Sequence, residues 1–250
     1  LKYSKLLKEK SDIGKDLFSF LWEFVFSYSF LNAKKHLREK NLKILKFDVW
    51  EESSIERYKT RKITPFLESM FEPKSITYID IDSHLVRKAK ILFSKKSRIF
   101  IKGNICSMPF KNESFDIVVD FSTTDHLSEK EFLKSLKETS RVLKSGGLYL
   151  IYHLNKEYFN IEEWNKIYSE DLIPSYARNL SDIAKKLKKL NFEILNSFYF
   201  FPFLYDVTLR WFYFLNRHRT IFALLPRKVK FRFFDNPKLN LFFFLLAQKI

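Results

Sequence analysis

Polar side chains stand where predicted strands of this chain end. They are Asp48, Asp80, Asn104, Asp120, Ser122 and His153. Carboxylates, amides and hydroxyls can accept hydrogen bonds from a ligand, and a histidine can also exchange a proton near neutral pH. In parallel sheets, ligands bind beyond the carboxyl ends of the strands, where the strand order reverses. The pattern therefore predicts a ligand site built from these residues.

Short apolar runs that alternate with helical patterns predict the sheet that would carry these residues. The strand candidates are Lys43–Val49, Ile76–Ile81, Arg98–Ile101, Phe115–Phe121 and Leu148–Tyr152. The helix candidates between them are Ile55–Phe71, Ser83–Ser94 and Ser128–Leu143. We expect Gly146–Gly147 to end the last of these helices as a left-handed cap. Such alternation predicts an α/β fold with a parallel sheet covered on both faces.

Composition and charge limit the classes of protein that fit. The chain has 250 residues, of which 46% are hydrophobic and 18% aromatic, enough for one buried core and unlike a disordered chain. Its net charge of +16 is concentrated at the ends: residues 1–46 have eleven basic residues against five acidic ones, and residues 207–250 have nine against one. Basic ends favour an anionic partner, although a solvated lysine-rich surface would give the same composition.

The sequence favours a cytosolic location. Its single cysteine, Cys106, excludes an intramolecular disulfide and fits a reducing compartment. The most apolar segment, Leu17–Ala33, is too short for a membrane span, is interrupted by Glu23 and Asn32, and lacks the features of a signal peptide.

Three segments resemble class I S-adenosylmethionine-dependent methyltransferases. Ile99–Asp116 (IFIKGNICSMPFKNESFD) is similar to the family stretch with a "GDA" turn, "LPF" and "SFD". Thr139–Leu150 (TSRVLKSGGLYL) is similar to its "RVLKPGG" segment, and Ile76–Lys90 (ITYIDIDSHLVRKAK) to its second strand, which ends in an acid. The order and spacing of the three also match. The resemblance implies a doubly wound Rossmann-like sheet, mostly parallel, with an antiparallel last strand.

The first family motif differs here. The usual glycine-rich loop is absent, and Ile44–Glu52 (ILKFDVWEE) resembles a variant branch that reads roughly "LKTDLFNE". Ser122–His126 (STTDH) is similar to the "STLDH" of the same branch, at the end of the fourth strand. Two separate departures from the common pattern therefore agree with one branch.

The resemblance implies roles for individual residues. Asp80 would accept hydrogen bonds from ribose hydroxyls, and Asp48 would bind the ammonium of S-adenosylmethionine, directly or through water. The other residues expected to bind the cofactor are Asn104 at the adenine amino group, Ile105 through its backbone N–H, Met108 as an apolar wall, and Ser122.

A second group of residues is predicted on the acceptor side. Asp125 or His126 would act as a base where the acceptor needs one, although a helix cap at Asp125 and an apolar position at His126 are alternatives. His153 and Asn155 would line the acceptor pocket. The five histidines show no metal-ligand spacing, so no metal is expected.

We expect four segments. Residues 1–41 would form an N-terminal helical cap, 42–203 the S-adenosylmethionine-binding core, 204–238 a basic aromatic helical insert, and 239–250 a closing strand. The insert contains a predicted helix, Leu204–Leu225, followed by the basic stretch Arg227–Arg232. It would either lie on the anionic inner face of a membrane or pack as a lid or dimer contact.

The preferred function is methyl transfer from S-adenosylmethionine to a small-molecule, glycan or lipid-linked acceptor. One alternative is a methyltransferase-fold module that has lost cofactor binding and serves membrane or protein interaction; the missing glycines favour it. Another is an RNA methyltransferase, which charge alone supports. The sequence contains no recognisable RNA-binding module, so nucleic acid is the less favoured partner.

Overall fold

Seven strands form one sheet in the computed structural model, which describes residues 25–37, 41–61, 63–157, 176–202 and 240–250. The strands are β1 (Lys43–Phe47), β2 (Ser75–Asp80), β3 (Arg98–Lys102), β4 (Phe115–Phe121), β5 (Leu143–Leu154), β6 (Phe192–Pro202) and β7 (Asn240–Lys249). Their order in the sheet is β3-β2-β1-β4-β5-β7-β6. Strands β1 to β5 pair in parallel, whereas β7 is antiparallel to both β5 and β6. The predicted doubly wound sheet with an antiparallel last strand is confirmed.

Helices cover both faces of this sheet. The described helices are α1 (residues 25–34), α2 (Ile55–Arg61), α3 (Ile63–Phe71), α4 (Ser83–Phe93), α5 (Glu129–Val142) and α6 (Leu180–Lys188). Apolar side chains of α1, α3 and α4 join one buried cluster, and those of α5 and α6 join a second cluster on the opposite face. Because both faces are covered, all seven residues of β4 are buried.

Local sequence signals explain where the two helices nearest the site begin. Asp82 caps α4 by accepting hydrogen bonds from the backbone N–H groups of His84 and Leu85. Ser128 and Glu131 form a capping box at the start of α5. These caps fix the points at which the chain leaves the carboxyl ends of β2 and β4.

The end of α5 differs from the prediction. The helix stops at Val142, and Leu143 is extended because it already pairs with Phe115 in the sheet. The left-handed residue Gly146 (φ 76°) therefore lies inside β5 and caps no helix. At Gly147 a Cβ atom would stand 2.8 Å from the backbone oxygen of Lys144, so this bend requires a glycine.

The strand order reverses between β1 and β4, which places the expected ligand crevice beyond the ends of these two strands. The part of the N-terminal cap before residue 25 and the predicted insert at 204–238 lie outside the described residues. Among the helices that the structure describes, none has the length and apolar character needed to cross a bilayer.

Candidate functional site

Asp80 ends β2 with both carboxylate oxygens directed at backbone groups. Its Oδ2 accepts a hydrogen bond from Val49 N (3.0 Å), and its Oδ1 accepts one from Asp82 N (2.9 Å). Burial raises the pKa of Asp80, the two backbone hydrogen bonds oppose this effect, and the nearby Asp48 carboxylate adds to it. Each carboxylate oxygen can accept a second hydrogen bond, so Asp80 keeps acceptor capacity for ligand hydroxyls.

Asp48 connects the end of β1 to the end of β4. Its Oδ2 accepts a hydrogen bond from the Thr123 hydroxyl (2.5 Å), and its Oδ1 accepts one from Trp50 N (3.0 Å). Asp48 has a left-handed backbone (φ 58°), as does Ser122 (φ 62°) at the end of β4. Left-handed residues other than glycine cost roughly 1–3 kcal/mol each and cluster at ligand sites. Here both lie at the strand-order reversal.

A buried ionic cluster, centred on Lys46 and Glu52, contacts the turn at Asp48 from the interior of the protein. The Lys46 ammonium lies 3.1 Å from Glu52 Oε2 and 3.5 Å from Asp48 Oδ1, and it donates a hydrogen bond to the Asp48 carbonyl oxygen (3.3 Å). Burial lowers the pKa of Lys46, but the Asp48 and Glu52 carboxylates outweigh burial and leave it above its usual value. The other Glu52 oxygen accepts a hydrogen bond from the Thr64 hydroxyl (2.6 Å).

Glu51 belongs to the same cluster and was not singled out from the sequence. Its Oε1 accepts a hydrogen bond from Ile63 N (2.9 Å), which ties the turn to the start of α3. Burial, and then the neighbouring Glu52 carboxylate, raise the pKa of Glu51 well above its usual value. The acidic run after β1 gave a signal for this cluster, but nothing in the spacing separated Glu51 from an exposed turn residue.

The residues predicted at adenine follow β3. The backbone N–H of Gly103 donates to Asp80 O (2.8 Å), which places this segment beside the end of β2. Asn104 is exposed and accepts a hydrogen bond from Cys106 N (2.8 Å) through Oδ1. The side chains of Ile105 and Met108 are buried in the second apolar cluster. The structure thus brings Asp48, Asp80, Asn104 and Ser122 to one edge of the sheet.

The two candidates for the general base, Asp125 and His126, differ in their exposure. Asp125 has no exposed surface and accepts hydrogen bonds from the Ser122 hydroxyl and Leu154 N, while His126 is exposed. Burial raises the pKa of Asp125, but the adjacent His153 and the hydrogen bonds that Asp125 accepts lower it below its usual value. This geometry favours a positioning role for Asp125 and leaves His126 as the accessible base candidate.

His153 and Asn155 also have no exposed surface. His153 Nδ1 lies 2.8 Å from Asp125 Oδ1, and its Nε2 lies 3.3 Å from the Arg178 guanidinium. Because a guanidinium only donates, we assign the proton to Nδ1 and the acceptor role to Nε2. The amide oxygen of Asn155 accepts a hydrogen bond from Glu157 N (3.1 Å). Both side chains hold the end of β5, and their contact with an acceptor stays a prediction.

Arg178 is a central residue that the sequence reasoning missed. Its guanidinium donates to the carbonyl oxygens of Thr124 (3.1 Å) and Leu127 (2.6 Å) and lies 4.1 Å from the ring centre of Phe132. It also pairs with Glu129 at 3.3 Å. Arg178 lies in a stretch without periodicity, so no sequence signal marked it.

Asp120, one of the strand-end candidates, points into the protein instead of the crevice. It accepts hydrogen bonds from the backbone N–H groups of Thr123 and Thr124 and from the Tyr149 hydroxyl, and so holds the 3-10 turn Thr124–His126 in place. Burial raises the pKa of Asp120 to about 6.

Comparison with known proteins finds a family match in the central segment. Residues 60–151 match the family model described as "Methyltransferase domain". A crystal structure described as a SAM-dependent methyltransferase of Methanosarcina mazei superimposes with a TM-score of 0.55 at 21% identity, covering 87% of this chain and 96% of that one. At this identity the similarity concerns the fold.

Two curated relatives are similar in sequence. Sterol 24-C-methyltransferase of Pneumocystis carinii is 33% identical over 140 residues, covering 52% of this chain and 36% of that protein. Phthiotriol/phenolphthiotriol dimycocerosates methyltransferase 1 of Mycobacterium ulcerans is 28% identical over 130 residues, covering 52% of this chain and 44% of that protein. The chain thus spans less than half the length of these relatives.

Proposed function

We propose that this chain, which carries a class I methyltransferase domain, binds S-adenosylmethionine and transfers its methyl group to a lipid-like or other small acceptor. The observation that carries the proposal is the arrangement at the strand-order reversal. There the Asp48 carboxylate is close enough to raise the pKa of Asp80. Asp80 accepts a hydrogen bond from Val49 N in the turn after β1, and Asp48 accepts one from the Thr123 hydroxyl after β4.

The residues present fit this cofactor. Asp80 retains one acceptor position on each oxygen for the ribose hydroxyls, and Asp48 offers a partly exposed carboxylate to the ammonium group. Asn104 and the backbone of Ile105 would face the adenine, with the buried Met108 as its apolar wall. Ser122 would contact the cofactor from the end of β4.

When bound, S-adenosylmethionine supplies a methyl group attached to a positively charged sulfur. The contribution of the chain is to bind and orient both partners, which can account for much of the rate enhancement. His126 would accept a proton where the acceptor is a hydroxyl or a protonated amine. Asp125 would keep the 3-10 turn in place through Ser122 and Leu154.

The acceptor class is inferred from the relatives and from charge. Two relatives are named for action on sterols and on phthiotriol dimycocerosates, which supports a lipid-like acceptor. The basic segment 207–250 would favour a molecule with an anionic headgroup, and a glycan or another small molecule is also compatible with it.

A methyl-transfer assay tests the proposal. Purified protein is incubated with S-adenosylmethionine labelled in the methyl group, together with either total lipids or water-soluble metabolites from the source cells. We expect label in the lipid extract, and much less of it at subsaturating S-adenosylmethionine when Asp80 is replaced by alanine. Label only in the water-soluble fraction would contradict the lipid class, and label in neither fraction would contradict the catalytic function.

His126→Ala tests the assignment of the base. We expect this variant to lose turnover and to bind S-adenosylhomocysteine as tightly as the wild type, because His126 lies on the exposed turn and not among the residues predicted to hold the cofactor. Turnover equal to that of the wild type would remove the base role and leave positioning as the mechanism.

The alternative is a methyltransferase-fold module without catalysis, which the absence of glycine from Ile44–Glu52 favours. This alternative predicts that the purified protein binds neither S-adenosylmethionine nor S-adenosylhomocysteine. A binding measurement therefore distinguishes the two functions.

A further inference from the structure

The turn after β1 is left-handed without a glycine. The four glycines of the chain are Gly14, Gly103, Gly146 and Gly147, and none lies in Ile44–Glu52. Asp48 nevertheless has φ 58°, a conformation that only glycine adopts without a steric penalty. The surrounding structure must therefore hold this residue in place.

Two hydrogen bonds from backbone N–H groups fix Asp48 locally, from Asp48 N to Ile79 O (2.9 Å) and from Trp50 N to Asp48 Oδ1 (3.0 Å), and three other side chains also contact the turn. The Thr123 hydroxyl donates to the Asp48 carboxylate, and Asp80 accepts from Val49 N. Lys46 makes the third of these side-chain contacts, and it is the one that reaches the carbonyl oxygen of Asp48. Its ammonium donates to the Asp48 carbonyl oxygen (3.3 Å) and stands 3.5 Å from Oδ1.

Lys46 is itself held in one position. Its side chain is 1% exposed, and Glu52 Oε2 lies 3.1 Å from the ammonium. Glu52 is in turn fixed by the Thr64 hydroxyl (2.6 Å), which also contacts the Tyr78 hydroxyl (3.1 Å). The ammonium lies 5.7 Å from the centre of the Tyr78 ring. A lysine enclosed in this way acts as a rigid donor instead of a mobile surface charge.

We propose that Lys46, anchored by Glu52, is a positioning residue that takes the place of the glycine-rich loop and holds Asp48 toward the amino-acid part of S-adenosylmethionine. The inference rests on the proposed function. Because Asp48 is the predicted partner of the ammonium group, we expect Lys46 and Glu52 to affect binding of the methionine end of the cofactor. The nucleoside end is assigned to Asp80 and Asn104, which Lys46 does not contact in the described structure.

Two ligands separate positioning from general stabilisation. S-adenosylhomocysteine carries both the nucleoside and the amino acid, whereas 5′-methylthioadenosine carries the nucleoside alone. A residue that only stabilises the fold would affect both ligands equally. A residue that holds Asp48 would affect only S-adenosylhomocysteine.

The experiment is calorimetric titration of both ligands into the wild type and Lys46→Met, with thermal unfolding measured in parallel. We expect Lys46→Met to weaken S-adenosylhomocysteine at least tenfold and to leave 5′-methylthioadenosine within about twofold. The matched control is Arg98→Met. Arg98 is also a buried cation with a carboxylate partner, Glu68 at 2.7 Å, but it lies at the opposite end of the sheet, at the start of β3. This control should leave the ratio of the two affinities unchanged.

A folded Lys46→Met that binds S-adenosylhomocysteine like the wild type, or loses both ligands equally, would overturn the inference. If the single variant does not fold, Lys46→Met combined with Glu52→Gln removes both members of the pair, so that Glu52 is not left as an unpaired buried charge, and the same selective loss is expected of it. A wild type that binds neither ligand would instead overturn the proposed function.

Discussion

Burial decides what each carboxylate at the carboxyl edge of the sheet can do. Asp48 and Asp80 are partly exposed and keep capacity for a ligand, whereas Asp120 and Asp125 are fully buried and hold the backbone of the turn that follows β4. The two buried acids also differ from each other. For Asp125, the adjacent His153 and the accepted hydrogen bonds outweigh the effect of burial and lower its pKa. For Asp120, burial outweighs the accepted hydrogen bonds and raises its pKa to about 6.

The raised pKa of Asp120 predicts a specific pH dependence of stability. A carboxyl group whose pKa is higher in the folded than in the unfolded protein stabilises the fold at low pH, and this contribution is lost as the pH rises through the folded pKa. The wild type should therefore lose up to roughly 3 kcal/mol of unfolding free energy between about pH 4 and pH 6 relative to Asp120→Asn. Urea unfolding at a series of pH values measures the difference, and parallel curves for the two proteins would contradict it.

At the scale of secondary-structure elements, Arg178 joins the end of β5 to the 3-10 turn and to the start of α5. Its backbone N–H donates to Leu154 O (3.2 Å), while its guanidinium reaches the carbonyl oxygens of Thr124 and Leu127. The turn that presents His126 therefore depends on a residue distant in sequence. Asp125 also joins this turn to the end of β5, because it accepts a hydrogen bond from Leu154 N.

Removal of Arg178 should destabilise the fold strongly. Arg178→Met would leave buried carbonyl groups without their donor, and we expect a loss of about 3–5 kcal/mol in unfolding free energy. Lys186→Met is the control, because Lys186 pairs with the same Glu129 at the surface (3.1 Å) and should cost less than about 1 kcal/mol. Equal losses in urea unfolding would show that Arg178 is a surface pair and not a central connection.

The strands were predictable from sequence because buried parallel strands are continuous apolar runs with a polar residue at the end. Phe115–Phe121 matches the predicted range without change. The helix end at Val142 was not predictable from the sequence, because the pairing of Leu143 with Phe115 is a tertiary contact that outweighs the glycine signal. The row of Asp48, Asp80 and Asn104 followed from strand ends and family resemblance. The inward orientation of Asp120, Asp125 and His153 did not, since periodicity does not report which way a strand-end side chain turns.

For the whole molecule, charge distribution predicts where the protein works. The basic stretch Arg227–Arg232 lies outside the described residues, and its placement as a membrane contact or as a lid stays a prediction. Each basic residue near an anionic surface contributes about 1 kcal/mol, so four could give reversible binding. We expect sedimentation with phosphatidylserine-containing vesicles at low salt, lost on replacing the four residues Arg227, Lys228, Lys230 and Arg232 with serine.

The control replaces four other exposed basic residues with serine. They lie near the β3 edge of the sheet and are Arg87, Lys88, Lys90 and Lys96. This control has the same net charge as the first variant and should still bind the vesicles. Equal loss in both variants would indicate a response to net charge alone, and no sedimentation of the wild type would favour the lid.

Binding of the cofactor to the purified protein tests the central claim most directly. Calorimetry should show that S-adenosylmethionine and S-adenosylhomocysteine bind, and that Asp80→Ala weakens both by about 1–3 kcal/mol because the ribose hydroxyls lose their acceptor. Asp82→Ala, which removes the cap of α4 two residues further along, should lower stability without changing affinity. Absence of both heat and a thermal shift at millimolar ligand would contradict the claim that this fold binds S-adenosylmethionine.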